Sequence, residues 1–334
     1  MAESEGNCKL FTTGDLRFTI YASFQMNFPI RPVCAAGFIA VALTANAART
    51  ELNLSGPGWN LWADTNAVWQ ADELFLPPVN LAQVPGHPPT GGWQVLTAAG
   101  LPVSVPGTVE EYLSPGTGPA GDYQGVSWWW RTLRIPENAG PHVILRFESQ
   151  RQRAEVYLDQ QLVGYDLIGG TPFTADLTGK VHPGQTCQLA VRITDPGGNF
   201  DWRDTASFKW GNHVIPISHG FGGITGPVQL VATDPVFVDD IDVQNTPAAT
   251  KVTVFATIQN TTGKPISRDL SIAVLEKNHD NPPALTETLK AVALAPGATV
   301  ITQNLSLATA KLWDLAHPNL YTCQVGLAGG DTSG

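Results

Sequence analysis

This sequence is poor in charge, poor in cysteine and without any long apolar run at helical spacing. Only 14% of its 334 residues are charged against 43% hydrophobic, which argues against a disordered chain and leaves enough apolar side chains for more than one core. Basic residues are the scarcer sign. Nineteen Lys and Arg against 29 Asp and Glu give a net charge of −10, the wrong sign for a phosphate backbone or an anionic membrane surface, so nucleic acid is not an expected partner. Cys187 and Cys323 have no second Cys or His at metal-ligand spacing, and they read as separate thiols rather than a disulfide. The missing helical periodicity turns attention to what is present. Thirty-three Gly and 26 Pro punctuate short runs rich in Val, Ile, Leu, Thr and aromatics, which predicts an all-β chain. Ten Trp and six Tyr could stack on sugar rings, although in a β-protein most aromatics belong to the core.

Near the N-terminus, Met26-Asn-Phe-Pro-Ile-Arg31 precedes the apolar run 33–43 and then Ala45-Asn-Ala47. A basic n-region, an h-region too short to span a bilayer and a small-residue cleavage site are the three parts of a secretory signal. Residues 1–47 are therefore expected to be an upstream extension followed by a signal peptide at 26–47. The mature chain would begin at Ala48, be periplasmic or secreted, and have no membrane span. Cleavage would also remove Cys8 and Cys34.

The next stretch carries Trp59, Trp62, Trp69 and Trp93 among Leu76-Pro-Pro78, Gly86-His-Pro-Pro89 and Thr90-Gly-Gly92. It is expected to be irregular and to lie over something larger. From Ser127, strands are predicted at 128–135, 142–148, 154–159, 188–193 and 228–232. The run Arg153-Ala-Glu-Val-Tyr-Leu alternates polar and apolar residues, as a strand with one wet face would. A boundary is expected near Thr233-Asp-Pro235, and six further strands are predicted at 236–243, 251–259, 269–276, 286–294, 299–307 and 321–327. The domain reading is a jelly-roll (galactose-binding-like) β-sandwich over 48–233 and an immunoglobulin-like β-sandwich over 234–334, the latter lacking its last strand. Gly329-Gly-Asp-Thr-Ser-Gly334 has turn chemistry and should lead into a further strand.

Four motifs in order resemble glycoside hydrolase family 2. Trp128-Trp-Trp-Arg131 is similar to the family's aromatic-aromatic-Arg strand, and Leu145-Arg-Phe147 with the run from Ala154 to Gly164 is similar to its central hairpin. Gly222-Gly-Ile-Thr-Gly-Pro-Val-Gln-Leu230 resembles its closing Gly-Ile strand, and Leu312-Trp313 through Pro318-Asn-Leu-Tyr321 resembles its late signature. Two positions depart from the pattern: the hairpin tip is Asp159-Gln160 where Asn-Gly is usual, and Gly226 stands where Arg is usual. The resemblance implies a sugar-binding jelly roll and an immunoglobulin-like sandwich that precede a catalytic barrel outside this chain. It also implies cleavage with retention by two carboxylates about 5 Å apart, both on that barrel. No catalytic residue is therefore expected here. Glu110, Glu111, Glu148, Glu155, Asp239 and Asp240 are read as solvated positions.

A loop of the first domain can reach the rim of such a pocket. The candidate is the irregular stretch from Asp195 to His219, dense in acceptors and aromatics, with Asn199, Asp201, Trp202, Asp204 and His219 as substrate-binding residues. An interdomain packing loop is an equal reading of it. No cofactor is expected. Asn199, Asp201 and Asp204 offer oxygens for a structural calcium or sodium ion, but their spacing matches no specific ion loop. Gly220-Phe-Gly222-Gly-Ile-Thr-Gly226 lacks the spacing and the helix of a dinucleotide loop, and no nucleophile-elbow Ser is present. The leading expectation is the non-catalytic N-terminal part of a retaining exo-β-glycosidase of β-galactosidase, β-mannosidase or β-glucuronidase type. Its partners would be a carbohydrate substrate and its own catalytic barrel. The competing readings are a stand-alone carbohydrate-binding or adhesion protein of two β-sandwiches. The turn chemistry after Leu327 favours the first.

Overall fold

The computed structural model describes residues 17–18, 49–98, 100–113, 123–196, 207–210, 213–216, 221–277 and 282–333. The chain divides into two compact units, 50–232 and 233–334, the second taking in residues 1–49. Among the described residues no helix is long and apolar enough to cross a membrane.

The first unit is a sandwich of a six-stranded and a four-stranded sheet. The large sheet runs β4 (Leu101–Val105), β3 (Gly56–Asp64), β6 (Gly125–Arg134), β11 (Thr186–Asp195), β8 (Arg153–Leu158) and β9 (Gln161–Asp166). The small one runs β10 (Phe173–Asp176), β7 (His142–Phe147), β15 (Val228–Thr233) and β2 (Thr50–Asn53). Period-two alternation sends Trp59, Trp129, Leu133, Val156, Leu189 and Val191 into the core between the sheets. The opposite face of the large sheet carries a second apolar layer, with Val126, Trp128, Trp130, Tyr157 and Ala190 lying under Trp69, Leu74 and Leu96.

The expectation of an irregular stretch that lies over something larger is thus met from Trp69 to Leu96, but the stretch begins with two strands, β2 and β3. Gly56 and Gly58 interrupt the pattern there. Both have positive φ, and the β3–β4 register shifts between Gly56 and Trp59. The predicted wet face of β8 is also wrong. All six of its residues are buried because the covering stretch closes over Arg153, Glu155 and Tyr157.

The β8–β9 hairpin turns on Asp159 and Gln160, both with positive φ (46° and 72°), the geometry that Asn-Gly adopts most easily. Gln160 carries a Cβ in the left-handed region, so Gln160→Gly is expected to stabilise the first sandwich by roughly 1 kcal/mol. A thermal melt should show a midpoint a few degrees higher, and an unchanged or lower midpoint would refute the strain argument. Gly226 has a different reason to be glycine. A Cβ there would lie 2.6 Å from the Ser149 amide nitrogen, and its own N–H donates to the Ser149 carbonyl at 2.9 Å, so the Arg usual in the family does not fit this backbone.

The second unit packs β16 (Val236–Asn245), β17 (Lys251–Asn260) and β20 (Gly297–Ser306) against a sheet ordered β1 (Arg17–Phe18), β21 (Leu320–Leu327), β18 (Ile266–Glu276) and β19 (Leu285–Leu294). All six strands expected after the boundary are present. β1 pairs parallel with Leu320 and Tyr321. The Gly329-Gly330 turn does lead into a strand: β22 (Thr332–Ser333) pairs back on Gly326 and Val325. Asp331 anchors that turn, its buried carboxylate accepting from the Val238 amide at 2.7 Å and pairing with Arg49 at 3.3 Å. Cys187 and Cys323 are free and buried, in different units, and burial pushes the Cys323 thiol up to about 11.

Candidate functional site

Asn199, Asp201, Trp202, Asp204 and His219 lie outside the described residues, as does the signal segment 26–47. What the structure describes is how the excursion that carries the first five is anchored. It leaves the large sheet after Asp195, includes a hairpin of β12 (Ser207–Trp210) with β13 (His213–Pro216), and rejoins at β14 (Gly223–Ile224), which pairs with β5 (Gly107–Thr108).

The returning end is held from two sides. The Gly222 carbonyl accepts from the Val109 amide at 2.7 Å, and the Gly222 amide donates to Glu110 Oε2 at 3.2 Å. Both residues belong to a short helix (Val109–Tyr112), whose first turn Thr108 caps by accepting from the Glu111 amide. Gly223 then exchanges two backbone hydrogen bonds with Arg151, at 2.9 and 2.8 Å. The leaving end is equally fixed. Asp195 is buried opposite Gly125, and its carboxylate lies against Gly222. Asp64, at the end of β3, accepts from the Thr90 amide at 2.8 Å. Tyr123 sits among these groups and donates to the Val126 carbonyl at 2.7 Å. Burial, reinforced by Asp64, Asp195 and Glu110, pushes its phenol far above the usual range, and burial raises Glu110 as well. The loop therefore springs from a rigid, acidic end of the sandwich.

A second polar constellation lies on the outer face of the large sheet, and sequence reasoning missed it. Glu155, fully buried, accepts from Arg192 Nη1 at 2.8 Å and Tyr157 Oη at 2.5 Å, lies 3.0 Å from His87 Nδ1 and pairs with Arg153 Nη2 at 3.0 Å. Asp72 pairs with the same two guanidinium groups, and Thr194 Oγ1 accepts from both. The His87 amide donates to Tyr157 Oη at 2.8 Å. Burial alone would raise the Glu155 carboxyl, but the His87 hydrogen bond and the charges of Arg192 and Arg153 outweigh it and hold the group at about 2. Asp72, His87 and Glu155 offer ligand atoms within 4.8 Å of one another. Their lone pairs already face two guanidinium cations, so the donors suit an internal ion-pair network rather than a metal. The same locking removes Glu155 as an acid, base or nucleophile at neutral pH: it stays ionised and substrate has no access to it. Reading Glu155 as solvated is corrected accordingly. Asp239 and Asp240 are exposed, as expected.

The signal for this network was the alternation in β8 itself. Arg153, Glu155 and, on the neighbouring strand, Arg192 share one face, and a charged face of both signs beneath a Pro-rich cover is a buried network rather than a wet surface.

A model of the family described as Glycosyl hydrolases family 2 matches residues 236–333. A β-glucuronidase of Formosa agariphila is 25% identical over 215 residues, 60% of this chain and 21% of the relative. A β-galactosidase of Thermoanaerobacter pseudethanolicus is 25% identical over 217 residues, 62% of this chain and 26% of the relative. A solved β-glucuronidase from glycoside hydrolase family 2 shares the fold with a TM-score of 0.61 at 20% identity, over 87% of this chain and 30% of its own. The chain thus spans about a fifth to a quarter of the length of these curated relatives. The motifs of the first sandwich, the family match on residues 236–333 and the shared fold all point the same way: the second unit matches glycoside hydrolase family 2, and the chain as a whole is similar to glycosidases of that family.

Proposed function

We propose that this chain is the non-catalytic N-terminal part of a retaining exo-β-glycosidase of β-galactosidase, β-mannosidase or β-glucuronidase type, acting in carbohydrate metabolism. Its first sandwich helps to shape the substrate pocket through the loop between Asp195 and Gly222. The observation that carries the reading is the state of the carboxylates. The closely spaced Asp72 and Glu155 are clamped by Arg153 and Arg192, whereas a retaining glycosidase needs two carboxyl groups about 5 Å apart in an open cleft. The curated relatives named as a β-glucuronidase and a β-galactosidase support the substrate class. Export by the segment 26–47 belongs to the same proposal, with a periplasmic or secreted product.

The test compares the purified 334-residue chain with the product of the whole gene, using chromogenic β-glucuronide, β-galactoside and β-mannoside. The chain is expected to release no more chromophore than buffer, and the whole product to hydrolyse at least one substrate with retained anomeric configuration by proton NMR. Turnover by the chain alone, or a whole product without hydrolytic activity, would overturn the reading. Mass spectrometry of the exported product should find Ala48 at its N-terminus, and peptides from residues 1–25 in that material would defeat the export part.

A further inference from the structure

The stretch that covers the outer face of the large sheet ends before the sheet does. Leu96 buries the row that contains Trp130, and beyond it the face opens into a groove of about 560 Å³. The register defines its floor. Asn60 on β3 pairs with Trp130 on β6, and one row further along the same face Thr132 pairs with Gln188 on β11. Thr186 continues that face, and Thr97 with Gly100 forms a wall. The backbone of Gly100 lies directly on the Trp130 ring, leaving no room for a Cβ, so the wall stays low and the indole is fixed as part of the floor.

We propose that this groove binds a saccharide. Two planar amides and two hydroxyls, from Asn60, Gln188, Thr132 and Thr186, line it, and among the described residues none of these side chains hydrogen-bonds to another protein group. Strand spacing sets them about 5 Å apart across the sheet and about 7 Å along it, a lattice of donors and acceptors held on a rigid floor. An amide offers both donor and acceptor in one plane, as does a hydroxyl, which matches vicinal sugar hydroxyls. Among the described residues no carboxylate lines the groove to repel an acidic sugar. Arg131 is the one basic residue among the described lining residues, and its guanidinium is held by the Leu54 carbonyl at 2.7 Å and by the Trp59 ring. The volume falls in the range of small-molecule sites, and the lining is too polar for an apolar ligand. The choice of saccharide among polyols rests on the family reading above; the groove chemistry does not depend on it.

The test titrates the 334-residue chain by calorimetry with β-linked gluco-, galacto-, manno- and glucurono-disaccharides, checked by saturation-transfer NMR on the sugar. At least one should bind with a Kd on the order of 1 mM or tighter. Asn60→Ala and Gln188→Ala, both at partly exposed positions, should each weaken binding roughly fivefold or more with unchanged melting, while Gln244→Ala on the second sandwich should leave it unchanged. Absence of binding across the panel at about 10 mM overturns the proposal, as does binding insensitive to both groove substitutions. Hydrolysis by the whole gene product is read separately. An active whole product whose 334-residue chain ignores the panel removes the groove alone, and a binding chain from an inactive whole product removes the glycosidase reading alone.

Discussion

Replacing Glu155 by alanine should lower the melting temperature of the first sandwich by roughly 10 °C. The substitution leaves the buried guanidinium groups of Arg153 and Arg192 sharing only Asp72, and breaking a buried ion pair from one side costs about 3–5 kcal/mol. Glu155→Gln keeps the volume and should recover only part of the loss, which separates charge from packing. A Glu155→Ala variant that melts within about 2 °C of the parent would refute the account. The same group predicts an acid response. Its folded value is about 2 against an ordinary value of 4.5, so the carboxylate contributes stability that is complete above about pH 4.5 and is lost as pH falls toward 2. The loss should be of the order of 3 kcal/mol in the parent and largely absent in Glu155→Gln. Equal acid sensitivity of the two would place the titrating group elsewhere.

Gly223→Ala is the second large effect, and it falls on the base of the candidate substrate loop. Gly223 has a φ of 151°, and a Cβ there would collide with the Gly107 carbonyl oxygen and lie 2.9 Å from Thr108 Cα. Neither atom can yield, because both belong to β5, to which Gly223 is hydrogen-bonded. Left-handed strain and backbone overlap together should cost about 3 kcal/mol or more, read as a melting shift of roughly 8 °C. The damage also has a direction. Val109, Glu110 and Arg151 hold the neighbouring backbone, so under the glycosidase function proposed above the whole gene product carrying this variant should lose turnover even below its melting point. Full stability and full turnover would contradict the geometry; Gly226→Ala, blocked by the Ser149 backbone, serves as a comparison outside the loop base.

Much of the architecture was legible because β-structure writes its period into the chain. Trp128-Trp-Trp-Arg131 and the run from Ala154 to Gly164 announced their strands, and all six strands expected after the boundary are where alternation placed them. The Gly329-Gly330 turn announced β22 in the same local way. The strands of 50–64 were hidden by Gly56 and Gly58, whose positive φ breaks the pattern that a reader follows. Of the candidate loop, the anchors at Asp195 and Gly222 and the β12–β13 hairpin fall within the described residues, and its five candidate binding residues do not.

By itself the sequence determined the all-β class, the order of strands and the family motifs, since each depends on neighbours two to ten residues apart. Which polar residues would be buried was decided only by tertiary structure. Arg153 and Glu155 meet Asp72 and His87 from some seventy to eighty residues earlier, and Arg192 joins from a neighbouring strand. Asn60, Thr132 and Gln188 share one floor only because β3, β6 and β11 lie side by side. A period-two pattern states that a strand has two faces. Whether the polar one meets water, an ion-pair partner or an open groove depends on what the distant chain lays over it, and that is a property of packing.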